Sequence, residues 1–173
     1  MDEELLSRQL PQSLEAEQAV LGSILIDSRC ITDVVGIVKP EDFYLQQNRE
    51  IFEAIYTMFN FSQTIDPVTV LDKLKELGYY HDNSRDYILQ LMEITPTAAN
   101  VARYAAIVQE KSMLRGLNQA ATDIQQMVSE EVGTPAEMLE SAEKKIYALR
   151  KGERGDSLEP IGTTMHRVFD HLN

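Results

Sequence analysis

From Thr97 to Glu131 the chain runs without a proline and with a single glycine, Gly116. A stretch that long, with no breaker and with apolar residues at helical spacing, can pair its own backbone groups only as one long helix. Its second half carries Leu114, Leu117, Ala121, Ile124 and Val128 at intervals of three and four. That is the narrow seam of a helix pair, not the broad stripe of a core helix. Met113, Ala120 and Met127, seven apart, make a second seam beside it. Gly133-Thr134-Pro135 turns the chain, and Leu139, Ala142, Ile146 and Leu149 repeat the spacing on a further helix over about 135–150. An antiparallel hairpin over 98–150 is therefore expected. It has one seam more than two arms need. The first seam can pack the sister arm, and the second is left for another chain or for the rest of this one. Closed twofold pairing would bury the extra seam on both copies at once.

The part before the hairpin reads differently. Residues 1–9 are polar and are expected to fray. Residues 10–26 spell a helix with its start written in: Pro11 and Ser13 at the entry, Glu15 and Glu17 where the helix dipole favours carboxylates, then Leu14, Val20, Leu21, Ile24 and Leu25 on an apolar face. Gly22 costs about 1 kcal/mol against alanine inside a helix, so a close approach of other backbone is expected there. Asp27 suits the cap of a second short helix over about 28–38, with Ile31, Val34, Val35 and Val38 on one face. Pro40 to Tyr44 form a turn with two aromatic anchors, Phe43 and Tyr44. A helix over about 47–60 carries Ile51, Phe52, Ile55, Met58 and Phe59. Asp66-Pro67 starts another, with Val70, Leu71, Leu74 and Leu77 as its stripe and Gly78 as its stop. Tyr87, Ile88, Leu91 and Met92 mark a fifth, ending before Pro96. Nothing alternates with period two for long enough to require a sheet. The expected fold is all-α: a compact head of short helices over 10–97, then the long hairpin over 98–150.

Residues 150–160 are charged and glycine-bearing and read as a flexible linker. Ile161, Met165, Val168, Phe169 and Leu172 then recur as the apolar face of a short docking helix. That helix is cut at Asn173, so residues 151–173 are expected to be a linker and the start of a linker helix, with a further domain to follow.

Charge and motifs exclude several functions. The net charge is −12, and residues 1–97 hold 7 Lys/Arg against 17 Asp/Glu. An acidic head repels phosphate backbones and attracts basic proteins. This argues against a helix-turn-helix DNA reader, although short helices and tight turns resemble one. The sequence has no run of 18 apolar residues, the length needed to span a membrane. The single cysteine, Cys30, precludes an internal disulfide and fits a reducing cytoplasm; it reads as a small buried hydrophobe. His81, His166 and His171 form no metal-ligand pattern. GxxxxGK[ST], GxSxG, HExxH and GxGxxG are all missing. No catalytic, cofactor-binding or metal-ligating residue is therefore assigned, and the informative features are interaction features. A stand-alone helical adaptor would share them.

Four ordered blocks carry a resemblance. The first is Pro11-Gln12-Ser13-Leu14-Glu15-Ala16-Glu17-Gln18-Ala19-Val20-Leu21-Gly22-Ser23. The second is Pro40-Glu41-Asp42-Phe43-Tyr44 followed by Ile51-Phe52, and the third is Asp66-Pro67-Val68-Thr69-Val70. The fourth is Pro96-Thr97-Ala98-Ala99-Asn100-Val101, running into Tyr104-Ala105 and Glu110-Lys111-Ser112-Met113-Leu114-Arg115. Together they resemble the N-terminal domain of the DnaB family of bacterial replicative DNA helicases, over about 10–150 and more loosely into the linker. The resemblance implies a domain cut before a RecA-like ATPase domain, so that ATP and Mg²⁺ belong to the parent chain. It implies dimers made through the hairpins, at Met113, Leu114, Leu117, Ala120, Ala121, Ile124, Met127, Val128, Leu139, Ala142, Ile146 and Leu149. Three dimers would form the collar of a hexamer. The collar would receive the C-terminal domain of the primase DnaG, with Tyr87, Arg115, Asn118 and Ile124 at the matching positions. The linker helix, through Ile161, Met165, Val168, Phe169 and Leu172, would reach a neighbouring subunit's ATPase domain. DNA would be met only by the full hexamer. The chain departs from the family pattern at Asn48, where a His is common, at Ser84-Arg85, where a Gly-Gly pair is common, and at Asn118.

Overall fold

Every regular element among the described residues is helical, and the cause of several starts and stops can be read locally. The computed structural model describes residues 10–154. Helix α1 spans Leu14–Ile26, and the Ser13 hydroxyl caps it by accepting from the Ala16 N–H at 3.2 Å. Asp27 ends it and also caps the adjoining element, accepting from the Arg29 N–H. That element is a 3₁₀ helix, Ser28–Asp33, closed by three-residue bonds such as Val34 N–H to Ile31 O, with turns after it. The short helix expected over about 28–38 forms only as this 3₁₀ helix, with turns in place of its second half. Ile31, Thr32, Val34, Val35 and Val38 are β-branched and Gly36 interrupts them, so the segment has little intrinsic preference for longer α structure. A second 3₁₀ turn, Pro40–Asp42, leads into α2, Gln46–Asn60.

Helix α3, Pro67–Leu77, has the predicted ends. The Asp66 carboxylate accepts from the Thr69 N–H at 2.8 Å, and the Thr69 hydroxyl accepts in turn from the Asp66 N–H at 2.9 Å. Gly78 stops it in the left-handed region at φ 77°. Helix α4 is Ser84–Glu93. The long helix α5 begins at Val101, not at Thr97, and runs to Ser129. Thr97 instead closes a small turn, its hydroxyl accepting from the Ala99 N–H at 3.1 Å. Helix α6 covers Pro135–Arg154, four residues beyond the expected end at 150.

The chain divides into two compact units between Gln119 and Ala120, inside α5. By packing, the first part of α5 thus belongs with the head, whereas the sequence alone puts the boundary at 97/98. Val101, Ala105 and Val108 supply the reason: all three are buried in the same core as α1 to α4. In that first unit α1 packs on α4, on the first 3₁₀ helix and on α2, while α3 packs on α2 and α4. Val20 to Leu25 of α1 are buried in succession, so α1 is enclosed on all sides rather than lying on the surface by one stripe. Leu14, outside that enclosed run, is exposed. Full burial of each large core side chain contributes about 1.5–3 kcal/mol. Phe43 is buried and stacks on Phe52 at 4.7 Å between ring centroids, but Tyr44 stands at the surface, so the expected pair of anchors is one.

Gly22 is the close-approach point. A Cβ added there would lie 2.0 Å from Thr95 Oγ1 and 2.5 Å from the carbonyl oxygen of Leu91. The C-terminal end of α4 therefore passes against the bare backbone of α1.

Candidate interaction surfaces

Tyr87 comes from the first turns of α4, yet its phenol points into a buried polar cluster. The hydroxyl donates a short hydrogen bond to Asn48 Oδ1 and accepts from Gln18 Nε2 at 3.4 Å. Asn48 Nδ2 donates to Glu17 Oε1 at 3.1 Å. The same carboxylate accepts the Tyr44 N–H at 2.9 Å and the Leu45 N–H at 3.3 Å. Glu17 and Asn48 are both fully buried. A buried carboxylate is tolerated only when its lone pairs are filled, and here three donors fill them. Burial pushes the Tyr87 phenol above its ordinary pKa, and the Glu17 charge pushes the same way.

Arg115 projects from α5 into a second polar joint. Its guanidinium donates to the carbonyl of Pro11 at 2.7 Å and to the carbonyl of Asp42 at 2.6 Å, and lies 5.4 Å over the Tyr44 ring. One turn earlier, the Ser112 hydroxyl donates to Asp42 Oδ1 at 2.7 Å, while the Lys39 N–H donates to Oδ2 at 2.7 Å. Burial raises the Asp42 pKa, with these two donors opposing the rise. Arginine suits this place because its fork reaches two carbonyls at once.

The second unit is a helical hairpin. Gly133, at φ 82°, makes the turn, and Thr134 starts α6 by accepting from the Glu137 N–H at 3.2 Å. Lys145 and Asp123 pair across the arms at 3.6 Å. Between the arms an open groove of about 690 Å³ is lined by Ile124, Val128, Met138, Leu139 and Ala142 among others. The side chains of the two seams differ in exposure, with Ile124 of the first half-buried. Ala120 is buried and Met113 and Met127 are half-buried, whereas Leu114, Leu117, Ala121 and Val128 are exposed. The 3-4-3-4 and seven-residue spacings identify the two rows but not which one its own chain covers. On α6, Leu139 and Ile146 are exposed, and Ala142 and Leu149 are half-buried.

A model of the "DnaB-like helicase N terminal domain" family matches residues 9–110. The chain belongs to that family. It is 31% identical to the replicative DNA helicase DnaB of Leifsonia xyli subsp. xyli over 163 residues, which is 94% of this chain and 36% of that protein. It is 34% identical to the Geobacillus stearothermophilus replicative DNA helicase DnaB over 176 residues, covering 98% of this chain and 38% of the relative. The chain thus spans little more than a third of the length of these curated relatives. A crystal structure of the N-terminal domain of DnaB helicase from Mycobacterium tuberculosis is 36% identical, with a TM-score of 0.77, covering 81% of this chain and 99% of that one. The all-helical fold of this DnaB-family domain agrees with that neighbour.

Within the family frame, the four positions expected at a primase contact fall in different settings. Tyr87 and Arg115 lie in the first unit, both within electrostatic reach of Glu17. Asn118 is exposed on α5, and the half-buried Ile124 belongs to the second unit. The linker-helix positions Ile161, Met165, Val168, Phe169 and Leu172 fall outside the described residues. Sequence reasoning misses Glu17 as a structural centre. Its only visible signal is a carboxylate three residues before the apolar run that α1 buries. Among the described residues no group of three or more His, Cys, Asp or Glu could hold a metal ion, and no helix is long and apolar enough to cross a membrane.

Proposed function

We propose that this chain is the assembly and partner-docking domain of a replicative DNA helicase. Membership of the DnaB-like family supports the reading. The observation that carries it is the apolar surplus of the hairpin: Leu139 is 67% and Val128 57% exposed, beside a groove of about 690 Å³. Exposed apolar rows beside an open groove suit pairing with a second copy. On this reading residues 10–97, with the first part of α5 packed into their core, are the head, and the hairpin beyond is the dimerising element. Residues 151–173 are the linker toward a neighbouring ATPase domain. Three dimers build a collar, and the C-terminal domain of the primase DnaG docks on it. The internal bonds of Tyr87 and Arg115 support a positioning role for them at that surface. ATP and Mg²⁺ serve the ATPase part of such a helicase, DNA is met by the assembled hexamer, and the setting is the cytoplasm.

Sedimentation velocity tests the reading without nucleotide. A dimer or larger species is expected at tens of micromolar. Leu139→Glu should give monomers with an unchanged far-UV spectrum, because the side chain is mostly exposed within its own chain. A wild-type monomer at high concentration would sink the proposal.

A further inference from the structure

The head carries an apolar and acidic surface that includes none of the residues assigned above to hairpin pairing or primase docking. Phe61 and Val68 are its most exposed large hydrophobics, at 72% and 69%. Phe61 ends α2, and the loop after it is held in one shape. Ser62 sits in the left-handed region at φ 53°, the Gln63 N–H returns to the Met58 carbonyl at 2.9 Å, and the Asp66–Thr69 capping box fixes the far end. A rigid loop presents its side chains without an ordering cost on binding.

Beside this loop lies a cleft of about 240 Å³, floored by Met58 and edged by Gln63, Thr69, Asp72, Lys73 and Glu76. Phe61 precedes Gln63 by two residues and Val68 precedes Thr69 by one, so each stands within one or two Cα steps, about 3.8 Å each, of the cleft edge. Val68, Asp72 and Glu76 succeed one another at intervals of four, which places them on one face of α3. The charges on that edge are unequally satisfied. Lys73 is buried, with its ammonium 3.1 Å from Glu76. The Lys75 ammonium lies over the Tyr80 ring at 4.9 Å. Asp72 is exposed, and its carboxylate has no hydrogen bond or ion pair among the described residues.

We propose that the cleft between the α2–α3 loop and α3 is a docking surface for a partner protein segment that presents an arginine or lysine beside an apolar side chain. The cation pairs with Asp72 at the cleft, and the apolar group covers Phe61 and Val68. Charge complementarity selects this occupant. Lys73 and Lys75 are already engaged, Asp72 is not, and residues 1–97 carry ten more acidic than basic side chains. An acidic segment would meet like charge, and a purely apolar one would leave Asp72 unused.

The test titrates the isotope-labelled full chain with a ten-residue peptide of alternating leucine and arginine, tracking backbone amide shifts. Shifts are expected to be confined to 61–76. Asp72→Asn and Phe61→Ser should each weaken binding about tenfold, as for loss of a charge-assisted contact or an apolar anchor. Glu15→Gln, an exposed carboxylate elsewhere on the head, should leave binding unchanged. Thermal melts of all three variants should match wild type, since each side chain is exposed; should Phe61→Ser melt early, Val68→Ser replaces it. Absence of binding at millimolar peptide would overturn the proposal. So would shifts centred elsewhere, retained affinity in Asp72→Asn, or equal weakening by Glu15→Gln.

Discussion

Replacing Gly22 by alanine sets two effects of opposite sign against each other. Helix propensity alone favours alanine by about 1 kcal/mol in a helix interior. The packing opposes it. The new methyl would sit 2.0 Å from Thr95 Oγ1, 2.9 Å from Thr95 Cβ and 2.5 Å from the Leu91 carbonyl oxygen. A flexible side-chain tip could swing away, but neither obstacle is one. Thr95 is buried and its hydroxyl donates to that same Leu91 carbonyl at 2.8 Å, so moving it breaks a buried hydrogen bond. The carbonyl is backbone and can retreat only if the end of α4 moves. Overpacking costs about 1–3 kcal/mol, and the lost hydrogen bond costs about 1 kcal/mol more. After subtracting the propensity gain, Gly22→Ala should destabilise by about 1–3 kcal/mol. For a chain of this size that lowers Tm by roughly 2–12 °C. Urea denaturation of the two proteins, with equal m-values, measures it. A variant as stable as wild type, or more stable, would show that α1 and α4 do not meet at this glycine.

The polar joints and the cysteine give three further outcomes. Glu17→Gln keeps the shape but turns one acceptor into a donor facing N–H groups, and should cost about 1–3 kcal/mol in urea denaturation; an unchanged midpoint would remove Glu17 from its central role. Asp42 has a folded-state pKa raised chiefly by burial. Its contribution to stability is therefore full below the unfolded value near 3.8 and is lost as pH rises through the folded value. Relative to Asp42→Asn, wild type should gain stability on acidification across that window, and a difference curve that is flat or slopes the other way would contradict the assignment. Burial pushes the Cys30 thiol up to about 11. At pH 8 only about one molecule in a thousand then carries the thiolate, so iodoacetamide should label the native chain far more slowly than the urea-unfolded one.

Whatever the chain writes locally is legible in its sequence. Asp66-Pro67 and Gly78 define α3 because a cap, a fixed φ and a left-handed stop act within a few residues. Gly22 is readable as a point of approach, but Thr95, 73 residues on, is not. The segment at 28–38 misleads because 3₁₀ and α helices share their caps and apolar spacing and differ by one residue in hydrogen-bond reach. In the hairpin, the spacing marks two rows; which row is covered depends on the rotation of α5, and a heptad repeat does not encode that. Glu17 reads as an answer to the helix dipole, although its partners lie 27 to 31 residues away.

That distance bears on the order in which the head forms. Helix α2 has Leu45 at its N-cap and no side-chain cap of its own. The carboxylate that receives the Tyr44 and Leu45 N–H groups comes from α1. A peptide spanning 40–60 alone would therefore lack the acceptor for its entry and should be frayed there. In the whole chain, α2 gains a secured beginning only once α1 has arrived beside it. Nucleation of the one is thus tied to docking of the other, and the two helices should gain and lose amide protection as one cooperative unit.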